Sequence, residues 1–537
     1  MFTKIFRNCG NLGRILGSAN DLLKGVGKSM ESIYKIKNDT YYDSVTLMLV
    51  ASEIKQLRGI EEAMVGMGTD YNLDSLKRLE MTTPELERVT PNDMVIAVKA
   101  VDKERAVAAI KQTEKKLTEK SSSSGGVGEY NPPTQEGAVN MLPKANLVLI
   151  SIPGEFATRE ADRALEAGRH VMLFSDNISL EEELELKQKA VKKGLLMMGP
   201  DCGTSIINGT PLAFANAVRS GSIGLVAASG TGLQETSSLI HRLGGGISQA
   251  IGVGGRDLSA KIGGRMTELA ARALDRDPNT EIITLISKPP EAAVFNQLLE
   301  KLEALDKPVV IYFIGADPEV IRERGFIAAT DLEDAAVQSC RLAGIENVAP
   351  PLSEDEITEK AVGVELPGRY LRGIYSGGTL CDEAQRLLQK IPGTIYSNTP
   401  VEGCKKLEEV YRSVEHTIID LGEDEFTRGR AHPMIDPTLR KERIIEEMQA
   451  DGVGIILLDL VLGYGAHPNM AAELREAIEA GREKNAAAPV VAASICGTED
   501  DPQDYRHQQK LLEAAGVHVF PSNVAMVKFA DKCLTED

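Results

Sequence analysis

From Asn146 onward the chain alternates short, continuous apolar runs with amphipathic stretches. The segments NLVLISIPG, HVMLFS and LLMMGPDCGT, then SIGLVAAS, QAIGVGG, EIITLIS and KPVVIYFIG, read as strands, and Leu180–Lys193 between two of them has helical spacing. Uninterrupted apolar strands separated by helices predict parallel sheets covered on both faces. The rhythm restarts near Gly221 and again at GIYSGGTLCDEAQRLL, Gly373–Leu388, while the later strand DGVGIILLDLVLGYGAHPN parallels NTEIITLISKPPEAA. Two strand–Ser-Gly–helix units about 150 residues apart predict a degenerate internal repeat. Upstream, Ser44–Ser52 reads as a strand followed by a helix to about Met64, Asp93–Val101 as a strand and Lys103–Leu117 as a helix. That set predicts a small α/β sandwich. The Ser/Gly/Pro-rich stretch Glu119–Gly137 has the composition of a linker, and Val348–Gly368 that of a Pro-rich acidic connector. The predicted organisation is a small N-terminal α/β domain (1–120), a linker (121–138), parallel-sheet domains at 139–220 and 221–347, a connector (348–368) and a last α/β domain at 369–537.

The stretch GLVAASGTGLQE, Gly224–Glu235, runs from a strand through Ser-Gly-Thr-Gly into a helix. A helix start presents unpaired N–H groups at the positive end of its dipole, and small residues let an anion approach them. Ser229, Gly230, Thr231 and Gly232 are therefore candidate phosphate ligands, with Ser376, Gly377, Gly378 and Thr379 as their counterparts in the second unit. A tight βα connection with nothing bound is the alternative. Without Gly-Lys-Ser/Thr the turn is no P-loop.

Composition narrows the class. The chain has 537 residues with 42% hydrophobic, 49 Gly and 24 Pro, which describes several globular α/β domains. A net charge of −19 excludes nucleic acid and anionic membrane surfaces as main partners. The mildly basic start, MFTKIFRNCGNLGRILG, lacks the apolar core of a secretory signal, and no run approaches a membrane span. Seven scattered Cys without a Cys-x-x-Cys pair point to a reducing, cytoplasmic setting and no metal site.

The segments GPDCG (Gly199–Gly203), IGLVAASGTGLQE and IGVGGRDL resemble, in order and spacing, the α subunit of succinyl-CoA synthetase. The block from Gly373 resembles the carboxy-terminal domain of the β subunit. The runs SDNISLEEELELKQKAVKKGLLMMGPDCGTSIINGTPLAFANAV and GRAHPMIDPTLR are similar to the FdrA family of acyl-CoA-synthetase-like proteins, and the likeness extends from about Tyr41 to the end. The resemblance implies tandem Rossmann-like and flavodoxin-like domains of the synthetase type: CoA-binding-like at 139–220, synthetase-like at 221–347 and β-subunit-like at 369–537. It also implies a role, with further protein subunits, in an oxamate carbamoyltransferase of allantoin breakdown, moving a carbamoyl group between oxamate and phosphate. Three departures modify what carries over. Phe313–Thr330 contains no His where the synthetase has its phosphorylated one, Lys288 stands where that His has a glutamate partner, and no ATP-grasp domain or first CoA-cradling turn precedes Asn146. The expected enzyme is thus an oligomeric carbamoyltransferase subunit that binds phosphate or carbamoyl phosphate and requires no cofactor or metal. An acid–thiol ligase using CoA and ATP is the alternative, and a non-catalytic scaffold a third possibility.

Lys288, Arg256 and His432 are the candidate catalytic groups: two cations to stabilise developing charge, and an imidazole to donate to a substrate carbonyl. Arg256 and Asp257 follow Gly254 and Gly255, and the pair can equally brace its loop. Asp201, Cys202, Gly203, Gly254, Gly255, Asp257 and Arg430 are candidate substrate contacts. Cys202 lacks a nearby His or Asp that would make it a nucleophile, and a lone Cys is more often packing. His467, at another strand end, ranks below His432.

Overall fold

A computed structural model describes residues 31–38, 40, 42, 44–79, 81–90, 93–123, 132, 134–288, 290–427, 430–485 and 487–535. The basic stretch at 1–17 lies outside them. The chain divides into two compact units between Glu129 and Tyr130.

The first unit contains β1 (Glu31–Lys37), α1 (Ser44–Lys55), β2 (Ile60–Met67), α2 (Asp70–Arg78), β3 (Met94–Ala100) and α3 (Lys103–Ser123). Its strands form an antiparallel sheet in the order β1-β3-β2. Alternation along β3 sends Met94, Ile96 and Val98 into a core with Leu47, Val50, Ile54 and Leu117, and Val95 and Ala97 into a second core with Leu76, Met81 and Leu86. The predicted strand at Ser44–Ser52 is instead the first part of α1, and the helix expected to reach Met64 gives way to β2. Burial at 47, 50 and 54 follows the helical period. The predicted linker is partly helical, since α3 runs to Ser123 and α4 (Gln135–Met141) begins at the Thr134 cap.

After α4 the second unit continues with β4 (Leu147–Ile150), α5 (Gly154–Glu166), β5 (His170–Leu173), α6 (Leu180–Lys193) and β6 (Met197–Met198), whose strands form a parallel sheet. A Ser179–Glu182 capping box starts α6 and left-handed Gly194 ends it, at the bounds the sequence predicts. Next come β7 (Thr204–Ile207), β8 (Thr210–Ala213), β9 (Ser220–Ala228), α7 (Gly230–Arg242), β10 (Ile247–Gly252), α8 (Arg265–Arg276), β11 (Ile282–Ser287), α9 (Ala292–Leu302), β12 (Val309–Phe313), α10 (Pro318–Glu323), β13 (Ile327–Ala328) and α11 (Leu332–Leu342). Their sheet runs β13-β12-β11-β9-β10-β7-β8, parallel except for the β7–β8 hairpin at one edge. That hairpin, turned by left-handed Asn208 and Gly209, moves the boundary between the first two sheets from 220 to near Gly203.

The connector is not structureless. It holds α12 (Glu354–Ala361), with a Ser353–Glu356 capping box and buried Ile357 and Ala361. The last block comprises β14 (Tyr370–Tyr375), α13 (Gly378–Leu387), β15 (Ile395–Ser397), β16 (Lys405–Lys406), β17 (His416–Asp420), α14 (Asp424–Thr427), α15 (Thr438–Gln449), β18 (Val453–Val461), α16 (Met470–Lys484), β19 (Val490–Cys496), α17 (Tyr505–Ala514), β20 (His518–Phe520) and α18 (Asn523–Thr535). Its strands run in the order β16-β15-β17-β14-β18-β19-β20, all parallel. In both seven-stranded sheets the strand that runs into the Ser-Gly turn, β9 or β14, is central and later strands lie on either side of it. Such reversals leave a crevice at the strands' carboxyl ends, where open α/β sheets bind ligands.

The two sheets are tied by a reciprocal device. Glu235 of α7 accepts from the Asn523 amide that starts α18 (3.0 Å), and Glu383 of α13 accepts from the Leu332 amide that starts α11 (2.9 Å). Each is the sixth residue of its helix, so the two repeats exchange N-terminal caps through buried carboxylates.

Candidate functional site

The two Ser-Gly turns converge. Ser229, in extended conformation after β9, caps α7 by accepting from the Gly232 amide at 2.9 Å, and its Oγ is also bonded to Thr379 Oγ1 at the start of α13. The approach is tight enough that a Cβ on Gly377 would sit 2.8 Å from Thr231 Cγ2, and one on Gly232 would sit 3.1 Å from Thr379 Cγ2. Gly232 and Gly377 are thus small because helix packs against helix. Gly230 differs: its hypothetical Cβ meets only Thr204 Oγ1 at 3.5 Å and Gly203 Cα at 3.9 Å. Thr204 is 1% exposed, and its Oγ1 has no hydrogen-bond partner among the described residues. A buried, unsatisfied hydroxyl beside an open helix start fits a polar ligand there.

The second helix start is partly filled by the protein itself. Asp459, fully buried in β18, accepts from Ser376 N (2.8 Å), Ser376 Oγ (3.0 Å) and Gly377 N (2.8 Å), and Arg440 Nη2 holds it at 2.6 Å. Ser376 and Gly377, expected as phosphate ligands, therefore serve an internal carboxylate. Among the described residues the amides of Gly378, Thr379 and Leu380 are the ones left at that end.

Lys288, at the end of β11, lies against the same junction, its Nζ 3.1 Å from where a Gly378 Cβ would be and 3.5 Å from Glu423 Oε1. Burial works against its charge, but Asp382, Asp420, Glu423 and Asp201 outweigh that and raise its pKa. Its charge is thus already answered by carboxylates, a correction to the expectation of a cation free to meet phosphate. Asp420, at the end of β17, is 3% exposed, and burial raises its carboxyl to about 7 against the pull of Lys288. Asp382 is raised to about 6 for the same reason. A carboxyl near 7 is poised to exchange a proton at neutral pH.

His432 reaches this place from the other side. Gly422 lies between its Nε2, Asp420 Oδ1 and the Ser376 carbonyl, at 2.8, 3.0 and 3.2 Å from the Cβ position. Its Nδ1 accepts from Met434 N at 3.2 Å, and burial lowers its pKa to about 4, so it is a neutral donor through Nε2 at pH 7. Arg430 is half-buried two residues upstream. A cavity of about 390 Å³ opens beside Glu423, lined also by Asn398, Thr399, Lys406, Asp424 and Glu425.

Other predicted residues are structural. Arg256 donates to Ile178 O (2.8 Å) and pairs with Glu183 (2.9 Å), while fully buried Asp257 accepts from Lys187 Nζ (2.8 Å) and the Thr267 amide (2.8 Å). That network braces α6 against α8 and removes both from the catalytic and substrate-binding sets. Cys202 is 2% exposed, and burial pushes its thiol up to about 12, so it is packing. Left-handed Gly254 has its Cβ position 2.9 Å from Gly199 Cα, so it packs on the Gly199–Gly203 loop. Gly255 faces Asp201 Oδ2 at 3.6 Å, and Gly203 is open. His467 accepts from Asn469 N at 3.2 Å through Nδ1.

Comparison with known proteins locates these elements. YahF of Escherichia coli strain K12, an uncharacterised protein, is 43% identical over 491 residues, 90% of this chain and 94% of YahF. The chain belongs to the YahF family. Within it, residues 374–533 match the CoA-ligase family and 218–315 the CoA binding domain, so this YahF relative is acyl-CoA synthetase-like and each Ser-Gly turn lies in one matched segment. The CoA binding match covers the second parallel sheet rather than the 139–220 region expected to carry it. Residues 30–133 match the AllF heavy metal-associated domain, yet that segment contains neither Cys nor His. The ADP-forming succinate–CoA ligase subunit alpha of Aquifex aeolicus is 26% identical over 222 residues, 39% of this chain and 70% of that subunit. A dinucleotide-forming acetyl-coenzyme A synthetase 1 from Ca. Korarchaeum cryptofilum aligns over 76% of this chain and 86% of its own, at 15% identity and a TM-score of 0.29. None of these relatives is named a carbamoyltransferase. No helix among the described residues is long and apolar enough to cross a membrane.

Proposed function

We propose that this YahF-family chain handles an acyl phosphate at the α7–α13 junction and exchanges the acyl group between phosphate and the thiol of CoA, a reading its likeness to proteins named CoA ligases supports. The carrying observation is the open Gly230 helix start beside the unsatisfied Thr204 hydroxyl, facing a second helix start across the Ser229–Thr379 bond. The amides of Gly230, Thr231, Gly378 and Thr379 hold the phosphate oxygens, each charge-assisted bond contributing about 1.5–3 kcal/mol. Neutral His432 donates to the acyl oxygen. Asp420 accepts the thiol proton as the nucleophile attacks, and Lys288 keeps that carboxyl from rising further. When bound, CoA supplies the thiol. Formation of the acyl phosphate from a nucleotide belongs to a partner subunit. The test is acyl phosphate plus CoA with the purified chain, read as loss of free thiol and thioester mass. Failure to exceed the rate of an Asp420→Asn variant sinks the reading.

The narrower FdrA reading, carbamoyl phosphate exchanging with oxamate, rests on the family resemblance and on the absence of His from Phe313–Thr330. Either reaction uses a free acyl phosphate rather than a phosphohistidine. Carbamoyl phosphate with oxamate forms the second arm of the assay, and turnover there alone favours the transferase. A purely assembling role predicts neither.

A further inference from the structure

A second cavity, of about 380 Å³, lies where the two repeats meet at the carboxyl end of α7. Arg219, Arg242 and Arg506 line it, opposite one carboxylate, Glu499. In a chain of net charge −19 this is a local cluster of three guanidiniums. The arginines are held by neutral acceptors. Arg219 Nη1 donates to the carbonyls of His241 (3.0 Å) and Gly245 (3.4 Å), and Arg242 Nη1 to Tyr505 OH (3.0 Å). Among the described residues Arg506 alone of the three is in an ion pair, with Glu499 at 2.9 Å, while buried Glu235 acts on Arg242 at longer range and Asp500 Oδ2 lies 3.7 Å from His241 Nε2. The Arg242 Nε is buried without a hydrogen-bond partner among the described residues, and Tyr505 packs under both Arg242 (5.5 Å) and Arg506 (6.0 Å). His241 adds no charge: burial lowers its pKa, and its Nδ1 accepts from Arg219 N.

We propose that this cavity is a binding site for a phosphate monoester dianion, separate from the α7–α13 junction. Arg219 and Arg242 are forked guanidiniums with no carboxylate in hydrogen-bond contact among the described residues, and such forks match a phosphate group. The volume falls within the range of small-molecule pockets and leaves room for a group attached to the phosphate. Because α7 spans 13 residues, this site lies roughly 20 Å from the Gly230 start. One helix joins the two.

Titration calorimetry with inorganic phosphate, AMP and CoA separates the sources of the phosphate group. Arg506 is 66% exposed on its side chain, so Arg506→Ala leaves the fold intact and, with Arg219→Gln, weakens binding about ten- to hundred-fold. Gly230→Val removes binding at the helix junction and leaves this site's affinity unchanged. In wild-type protein the ligand protects Arg506 from phenylglyoxal, read by mass spectrometry. Binding by none of the three, equal affinity in the double arginine variant, or no protection of Arg506 overturns the proposal.

Discussion

Replacing Gly230 by Ala separates the fold from the site. If this glycine were needed for packing, as Gly232 is beside Ser229 Oγ at 2.5 Å, any side chain would destabilise the helix start. At Gly230 the added carbon meets Thr204 Oγ1 at 3.5 Å and Gly203 Cα at 3.9 Å, which are ordinary contacts, and the backbone there is not left-handed. A compatible Gly→Ala change restricts the unfolded chain and stabilises by about 0.4–1 kcal/mol. For a domain of this size that raises Tm by roughly 1–4 °C. The same methyl group crowds the space an oxyanion needs to reach the amides of residues 230 and 231. Losing one charge-assisted bond of about 1.5–3 kcal/mol weakens acyl-phosphate binding roughly ten- to hundred-fold. Differential scanning fluorimetry gives the first quantity, and titration of phosphate or acyl phosphate the second. Gly232→Ala is the control and lowers Tm. A fall in Tm for Gly230→Ala, or anion affinity within twofold of wild type, refutes the assignment of the open helix start to a ligand.

Acyl transfer by the wild-type chain rises with pH through about 7 as Asp420 ionises, and Asp420→Asn loses that limb in a pH–rate profile. The same group has a stability signature: its pKa is raised in the fold, so its contribution is full below about pH 4 and is lost as pH rises through about 7. Wild-type Tm therefore drops between pH 5 and 8 more than that of Asp420→Asn. Arg440→Met leaves Asp459 buried without its counter-charge and costs about 3–5 kcal/mol, with a smaller cost when combined with Asp459→Asn; additive losses in denaturation contradict the pairing. Iodoacetamide leaves Cys202 unmodified in the native protein and labels it after unfolding, as peptide mass spectrometry reports.

Most of the second unit was legible from the apolar runs, because a strand buried on both faces leaves an unbroken signature and α6 carried its capping box and terminal glycine in plain view. The first unit was misread where an apolar helix face and an apolar strand look alike: the run at Ser44–Ser52 buries 47 and 50, and β2 opens with Glu61 and Glu62, which resemble a helix start. Two local signals stand in the sequence outside the apolar periodicity, the Asn208–Gly209 hairpin turn and the Ser353–Glu356 box. The Ser-Gly turns showed where the site lies. Lys288 was in view, but its carboxylate partners Asp382 and Asp420 were hidden because they come from separate elements that meet it only in the fold. The available hint was a charge inside an apolar strand, Asp420 after two isoleucines and Asp459 amid leucines. Arg256 and Asp257 stayed ambiguous because a loop brace and a ligand pair have the same sequence.

The exchanged helix caps set a timetable for synthesis. Glu235 leaves the ribosome 288 residues before Asn523, its partner. At about 5–20 residues per second, that carboxylate waits roughly 15–60 s with its place in the core unfilled. Through that interval the first repeat is a nascent fragment with an exposed seam, a natural substrate for chaperones. Pairing of the repeats therefore follows synthesis of the second one, whatever order their individual sheets form in.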